Sequence, residues 1–174
     1  MAEKNLDFDT VIDRTHTNSL KYDFAVQRGK PKDVLPLWVA DMDFQVSSYI
    51  QEALADSVAH GIFGYSEADG SYFEAVAGWM ERHYGWNVEE PWLVKTPGIV
   101  FALTQAVRAF TEPGDAVLLQ QPVYYPFSQV IRDNGRKVVD NTLVQGEDGR
   151  YRIDFADFEE IMRSCKVKLF FLCN

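Results

Sequence analysis

Helical and strand-like spacings of apolar residues alternate along this chain from about residue 47 onward. Ile50, Ala53, Leu54 and Val58 recur at intervals of three and four. They predict a helix over 49–60, capped by Ser47 or Ser48 and broken at Gly61. Phe73, Val76, Ala77 and Met80 repeat the pattern over 70–84, and Gly85 closes it. Short apolar runs and amphipathic stretches then take turns. The expected order is strand 92–95, helix 99–111, turn 112–115, strand 116–120 and helix 127–134 with Gly135 as its C-cap. Strand 137–141 follows, then a hairpin-like loop containing Gly146 and Gly149, helix 155–164 capped by Asp154, and strand 167–173. Strands alternating with helices in this way imply an α/β fold, a three-layer αβα arrangement around a mainly parallel sheet. Ahead of it, the first 35 residues are polar with weak periodicity and predict an arm with little structure of its own. Residues 35–44 form an extended apolar segment that ends in two carboxylates, Asp41 and Asp43.

Composition narrows the possible partners. Of 174 residues 47% are hydrophobic and 25% charged, within the range of globular chains that build a core. A net charge of -9 argues against nucleic acid or an anionic membrane surface, both of which need a basic face. No apolar run approaches the roughly 20 residues of a membrane span, and the first residues lack a signal-peptide core. Cys165 and Cys173 are expected to be free, buried thiols in a reducing compartment, which makes the cytoplasm the expected location. His16, His60 and His83 are scattered, so no metal site is expected. The apolar run that closes the chain stops one residue short of its end, at Cys173, where a domain would ordinarily finish in an exposed helix or tail. The expectation is a fragment.

The candidate chemistry begins at Thr96-Pro97-Gly98, where a short apolar run hands over to a helix without a charged side chain. Within that helix Ile99, Leu103, Ala106, Val107 and Phe110 share one face and should pack on the sheet. Gly98 permits close approach to the backbone, and the N–H groups of Ile99, Val100 and Phe101 face outward at the positive end of the helix dipole. That arrangement suits an anion, most naturally a phosphate; a plain strand-to-helix turn is the competing reading. Neither G-x-G-x-x-G nor G-K-[ST] occurs here, so dinucleotide and P-loop readings lack support. The loop after strand 116–120 carries Tyr124 and emerges on the same sheet edge, where ligands of open α/β sheets bind. Its ring can lie on a flat heteroaromatic ligand or pack against the following helix.

Five stretches in order carry a resemblance: Leu-Pro-Leu-Trp-Val-Ala-Asp-Met-Asp-Phe ending at Phe44, Phe-Gly-Tyr-Ser around Tyr65, Thr-Pro-Gly-Ile-Val ending at Val100, Pro-Gly-Asp-Ala-Val-Leu-Leu-Gln-Gln-Pro-Val-Tyr ending at Tyr124, and Phe-Phe-Leu-Cys-Asn ending at Asn174. Together they resemble the class I/II, fold-type I pyridoxal-phosphate enzymes. The Trp-Val-Ala-Asp-Met-Asp-Phe stretch is similar to the MalY/PatB-type cystathionine β-lyase branch. The resemblance implies the large domain of an aspartate aminotransferase-like fold, incomplete in this chain. Residues 1–45 would form an arm and small-domain segment, and 46–174 the first part of the cofactor-binding domain.

The resemblance also implies roles. Gly98, Ile99 and Val100 would cradle the phosphate of pyridoxal 5'-phosphate, and Tyr124 would stack on its ring. Tyr65 would reach across a homodimer to the other copy's cofactor phosphate, while Trp38, Val39, Ala40 and Asp41 would line the substrate entrance. For Asp41 and Asp43, solvated loop acids or a helix-cap pair compete with any role in proton transfer. The Schiff-base lysine, the aspartate facing the pyridine nitrogen and the arginine for the substrate carboxylate are expected downstream. Lys95, Lys166 and Lys168 match no such motif. Asn174 looks like the first asparagine of an Asn-Pro-x-Asn-Pro-x-Gly motif. The implied activity is β-elimination from cystathionine or a cysteine conjugate, giving thiol, pyruvate and ammonia. The alternatives are an aminotransferase on the same scaffold and a catalytically silent fragment or interaction module. On this topology strand 92–95 belongs beside strands from further along the chain, so the 174 residues alone are expected to be unstable or prone to aggregate.

Overall fold

Three parallel strands organise the second half of the chain: β1 (Ala116–Leu119), β2 (Lys137–Asp140) and β5 (Val167–Phe170), in the order β2-β1-β5. This is a computed structural model that describes residues 7–173; Asn174, expected to open the Asn-Pro motif, lies outside them. The chain divides into two compact units, one ending at Glu67 and the other beginning at Ala68.

The sheet lies in the second unit, and side-chain alternation shows what covers each face. Val117 and Leu119 of β1 join Val107, Val130, Ile131 and Phe171 in one core cluster, to which Leu169 and Val138 are packed. Val107 comes from α3 (Ile99–Phe110), and Val130 and Ile131 come from α4 (Pro126–Asp133), so these two helices cover that face. Leu118 and Phe170, paired in register, point the other way. The Phe170 ring meets Phe158 of α5 (Phe155–Ser164), with centroids 5.5 Å apart, which puts α5 on the opposite face. The three-layer arrangement is borne out. Its cause is that β1-α4-β2 and β2-α5-β5 move in opposite directions across the sheet with the same handedness. Val107, Val117, Leu118, Leu119 and Ile131 are fully buried. Each such side chain contributes about 1.5–3 kcal/mol. Between β2 and α5, β3 (Val144–Gln145) and β4 (Tyr151–Arg152) pair antiparallel and form the expected hairpin.

Helix limits follow their caps. Ser47 accepts the Tyr49 N–H at the start of α1 (Ser48–His60), and Gly61 ends it in a left-handed conformation. Asp69 and Gly85 do the same for α2 (Gly70–Tyr84), and Asp154 accepts the Ala156 and Asp157 N–H groups of α5. On α2 the expected inward residues Phe73, Val76, Ala77 and Met80 are half-buried; Val76 and Met80 meet Trp86, Val88 and Trp92 around a cavity of about 190 Å3.

Several expectations need correction. Residues 92–95 form no strand: a 3-10 turn, Glu90–Trp92, passes into irregular backbone, because among the described residues no strand pairs with it. The apolar stripe of α1 is exposed, and so are Ile99 and Phe110 at the ends of α3, whose packing is confined to its middle. Cys165 and Cys173 are free but exposed rather than buried: Cys165 is the C-cap of α5, and Cys173 lies two residues past Phe171, where burial stops. The described part of the arm carries polar contacts that the weak periodicity did not announce: Asp23 accepts the N–H groups of His16, Thr17 and Ser19 at 2.8–3.0 Å. Among the described residues no helix is long and apolar enough to cross a membrane, and no cluster of His, Cys, Asp or Glu could hold a metal ion.

Candidate functional site

Helix α3 starts differently from α1, α2 and α5. Its N-cap is Gly98, with φ 143° and ψ 162° and no capping side chain. The first intrahelical bond runs from Ala102 N–H to the Gly98 carbonyl at 3.1 Å. The N–H groups of Ile99, Val100 and Phe101 therefore precede the helical ladder and point out of the helix end, where the dipole is positive. A Cβ at Gly98 would meet no atom within 4 Å, so the space beside this turn is open. Val100 is partly exposed and Ile99 largely so. Thr96 supports the turn by donating its hydroxyl to the Gly98 carbonyl at 3.1 Å.

Because α3 runs into β1 through the short turn at 111–115, it lies antiparallel to β1. Its N-terminus therefore sits at the carboxyl edge of the sheet. The loop leaving β1 emerges at that same edge and carries Tyr124, 57% exposed, with Tyr125 edge-on at a centroid distance of 5.3 Å. The connections β1-α4-β2 and β2-α5-β5 run in opposite directions across this sheet, and ligands of open α/β sheets bind at the carboxyl ends of the strands near such a reversal. A cavity of about 410 Å3 lies at the ends of these strands, lined by Gln120, Leu172 and Cys173 together with residues of the hairpin.

Behind the loop lies a polar chain that periodicity did not reveal. Asn141 is fully buried; it accepts from Gln120 Nε2 at 2.7 Å and donates to the Asp157 carboxylate at 2.7 Å and to the Asp154 carbonyl at 3.1 Å. Two acceptors around Nδ2 fix which way this amide faces. The Gln121 N–H donates to Asp140 at 2.9 Å, the Gln121 carbonyl accepts from Leu143 N–H at 2.7 Å, and the Gln121–Pro122 peptide is cis. The base of the Tyr124 loop is thus tied to β2 and α5. Amides placed one residue beyond two strand ends were the available signal.

The first unit holds the remaining candidates. Trp38 is partly exposed under the Arg28 guanidinium, 6.0 Å from its ring centre; Val39 is half-buried and Ala40 exposed. Asp41 and Asp43 both pair with Arg14, which holds their carboxyls below the ordinary carboxylate range. They are occupied structural acids rather than a helix cap. Tyr65 is fully exposed, beside a groove lined by Asp56, His60, Phe63 and Ser66. The structure thus groups Gly98, Ile99, Val100 and Tyr124 on one edge of the second unit, and Trp38 to Asp41 within the first.

Comparison with known proteins points the same way. The family model described as aminotransferase class I and II matches residues 32–174. Cystathionine beta-lyase PatB of Bacillus subtilis is 45% identical over 169 residues, covering 97% of this chain and 43% of that protein. The crystal structure of cystalysin from Treponema denticola, which contains pyridoxal 5'-phosphate, superposes with a TM-score of 0.86 at 34% identity, over 95% of this chain and 42% of that one. The PLP-bound C-S lyase of Staphylococcus hominis gives a TM-score of 0.86 at 31% identity, over 95% and 42%. The chain spans less than half the length of these relatives.

Proposed function

The chain belongs to the class I and II aminotransferase family, and on that premise we propose that the whole protein is a pyridoxal 5'-phosphate-dependent carbon–sulfur β-lyase. The observation that carries the proposal is the uncapped start of α3, open beside the exposed Tyr124 at the carboxyl edge of the sheet. These residues fit the cofactor: N–H donors at a helix N-terminus suit a phosphate dianion, and a partly exposed aromatic ring suits a pyridine. When bound, the cofactor withdraws electrons from the substrate's α-carbon, so that its proton and then the thiol on the β-carbon can leave.

This chain's residues bind and orient. Ile99, Val100 and Phe101 hold the phosphate through their N–H groups, and Gly98 keeps the approach clear. Tyr124 plates one face of the ring on a loop braced by Gln120 and Asn141. Trp38, Val39, Ala40 and Asp41 line the substrate entrance, and Tyr65 serves the phosphate of a second copy in a homodimer. None of the described residues is assigned the proton transfer at the α-carbon. In this reading residues 1–45 are the arm and small-domain segment, 46–174 begin the cofactor domain, and the enzyme works in the cytoplasm on an amino-acid substrate.

Assaying the whole protein with L-cystathionine tests this. Release of thiol and pyruvate without an added oxo acid is the expected result. Strict dependence on an oxo-acid acceptor would overturn it in favour of a transaminase, the reaction that the matched family's description names.

A further inference from the structure

Residues 38–43 are an irregular segment, bent at 38–40 and again at 43, with no strand partner among the described residues, so side chains must fix their backbone. The arm supplies them. Arg14 Nη1 donates to Asp43 Oδ1 at 2.5 Å and to the Met42 carbonyl at 3.4 Å, and Nη2 donates to the Asp41 carboxylate and to Ser19 Oγ at 3.3 Å. The Lys21 side chain is only 5% exposed; its Nζ donates to the Asp41 carbonyl at 2.9 Å and lies 3.7 Å from Asp43 Oδ2. The Tyr22 ring adds a cation–π contact, its centre 5.4 Å from the Arg14 guanidinium carbon. The cations themselves are carried on a built turn. Asp23 gathers the N–H groups of His16, Thr17 and Ser19, which holds His16 and Asn18 at φ 61° and 60°.

Both acids of the segment, and the carbonyl between them, are thus held by two cations from a part of the chain some twenty to thirty residues earlier. A planar guanidinium spans two carboxylates with a fixed fork of donors; an ammonium is a point charge whose three donors impose no such geometry. We propose that Arg14, seconded by Lys21, is a positioning residue that sets where Trp38–Asp41 present themselves to the substrate. The proposal rests on the reading above that these four residues line the entrance. It assigns Asp41 and Asp43 to anchoring the segment, with no proton transferred by either.

The test uses the whole, cofactor-loaded protein and two readouts: amide hydrogen exchange in 37–43 and steady-state kinetics with L-cystathionine. In Arg14→Gln, exchange of these amides should quicken by at least about tenfold. KM should rise about tenfold with kcat changed less than about threefold. The cofactor's absorbance should be unaltered. Arg14→Lys should recover only part of either effect. Asp43→Asn, which leaves the Arg14–Asp41 pair, should give a smaller change in the same segment, and the double variant should be less than additive. Should Arg14→Gln not fold, Asp43→Asn carries both readouts alone. Wild-type exchange in 37–43 of a folded variant overturns the proposal, as does a fall in kcat that matches the fall in kcat/KM. A wild-type protein that releases no thiol from cystathionine fails the functional reading only, and the exchange measurement then judges the clamp by itself.

Discussion

At Gly98 the backbone occupies φ 143° and ψ 162°, a region essentially reserved for glycine. Because a Cβ there would touch nothing in the chain, the need for glycine comes from backbone geometry, with open space for a ligand as its consequence. Gly98→Ala should cost about 1–3 kcal/mol of stability. It should also weaken pyridoxal 5'-phosphate binding at least about tenfold, read by titrating the apo-protein and following the absorbance. Unchanged affinity would remove the start of α3 from the site. The Arg14 clamp makes a pH prediction. Hydrogen bonds from Arg14 hold the Asp41 and Asp43 carboxyls below their ordinary value. Their contribution is therefore complete above the unfolded value of about 3.9 and is lost as pH falls through the lower folded values. Protease sensitivity of 37–43 should stay flat from neutral pH down to about pH 4 and rise only below it. A rise between about pH 5 and 7 would mean that some other group controls the segment.

At the scale of elements, what could be read from the sequence is what local chemistry decides. The limits of α2 and α5 follow from Asp69, Gly85 and Asp154, each acting on backbone within a few residues. The helix start at Gly98, without a capping side chain, was legible for the same reason. Residues 92–95 were not, because an apolar run becomes a strand only when another strand pairs with it. The order within the arm was not legible because Asp23 and Arg14 organise it through side chain–backbone and ion-pair contacts, which leave no period. Asn141 escaped too, since its three partners come from the residue after β1, from α5 and from the cap of α5. It joins elements that periodicity treats separately. Asn141→Ala strands the Gln120 amide and leaves Asp157 without that donor, both near the sheet end. The expected loss is about 1–3 kcal/mol, measurable by urea unfolding. A variant as stable as the parent would show that water replaces the amide and that the Tyr124 loop does not depend on it.

For the molecule as a whole, area decides the argument. Two separately compact units of this total mass would expose about 10,000 Å2, whereas the chain exposes 14108 Å2. Much of the surplus is apolar: Ile50, Leu54 and Val58 along α1 are each more than half exposed, and so are Leu37, Phe63, Val94 and Phe110. β2 and β5 each present an outer edge with no partner strand among the described residues. Exposed apolar surface and open strand edges are both templates for association, and the net charge of -9 opposes them only weakly once salt screens it. The 174-residue chain on its own should therefore self-associate at micromolar concentration. Light scattering should report masses well above 19.9 kDa, and a hydrophobic dye should bind with enhanced fluorescence. The whole protein should instead give a single homodimeric species with little dye binding, because the proposed enzyme covers these faces with the rest of its sheet and its second subunit. A monodisperse, dye-silent 19.9 kDa monomer would contradict this, since it would require the α1 stripe and both sheet edges to be covered within this chain alone.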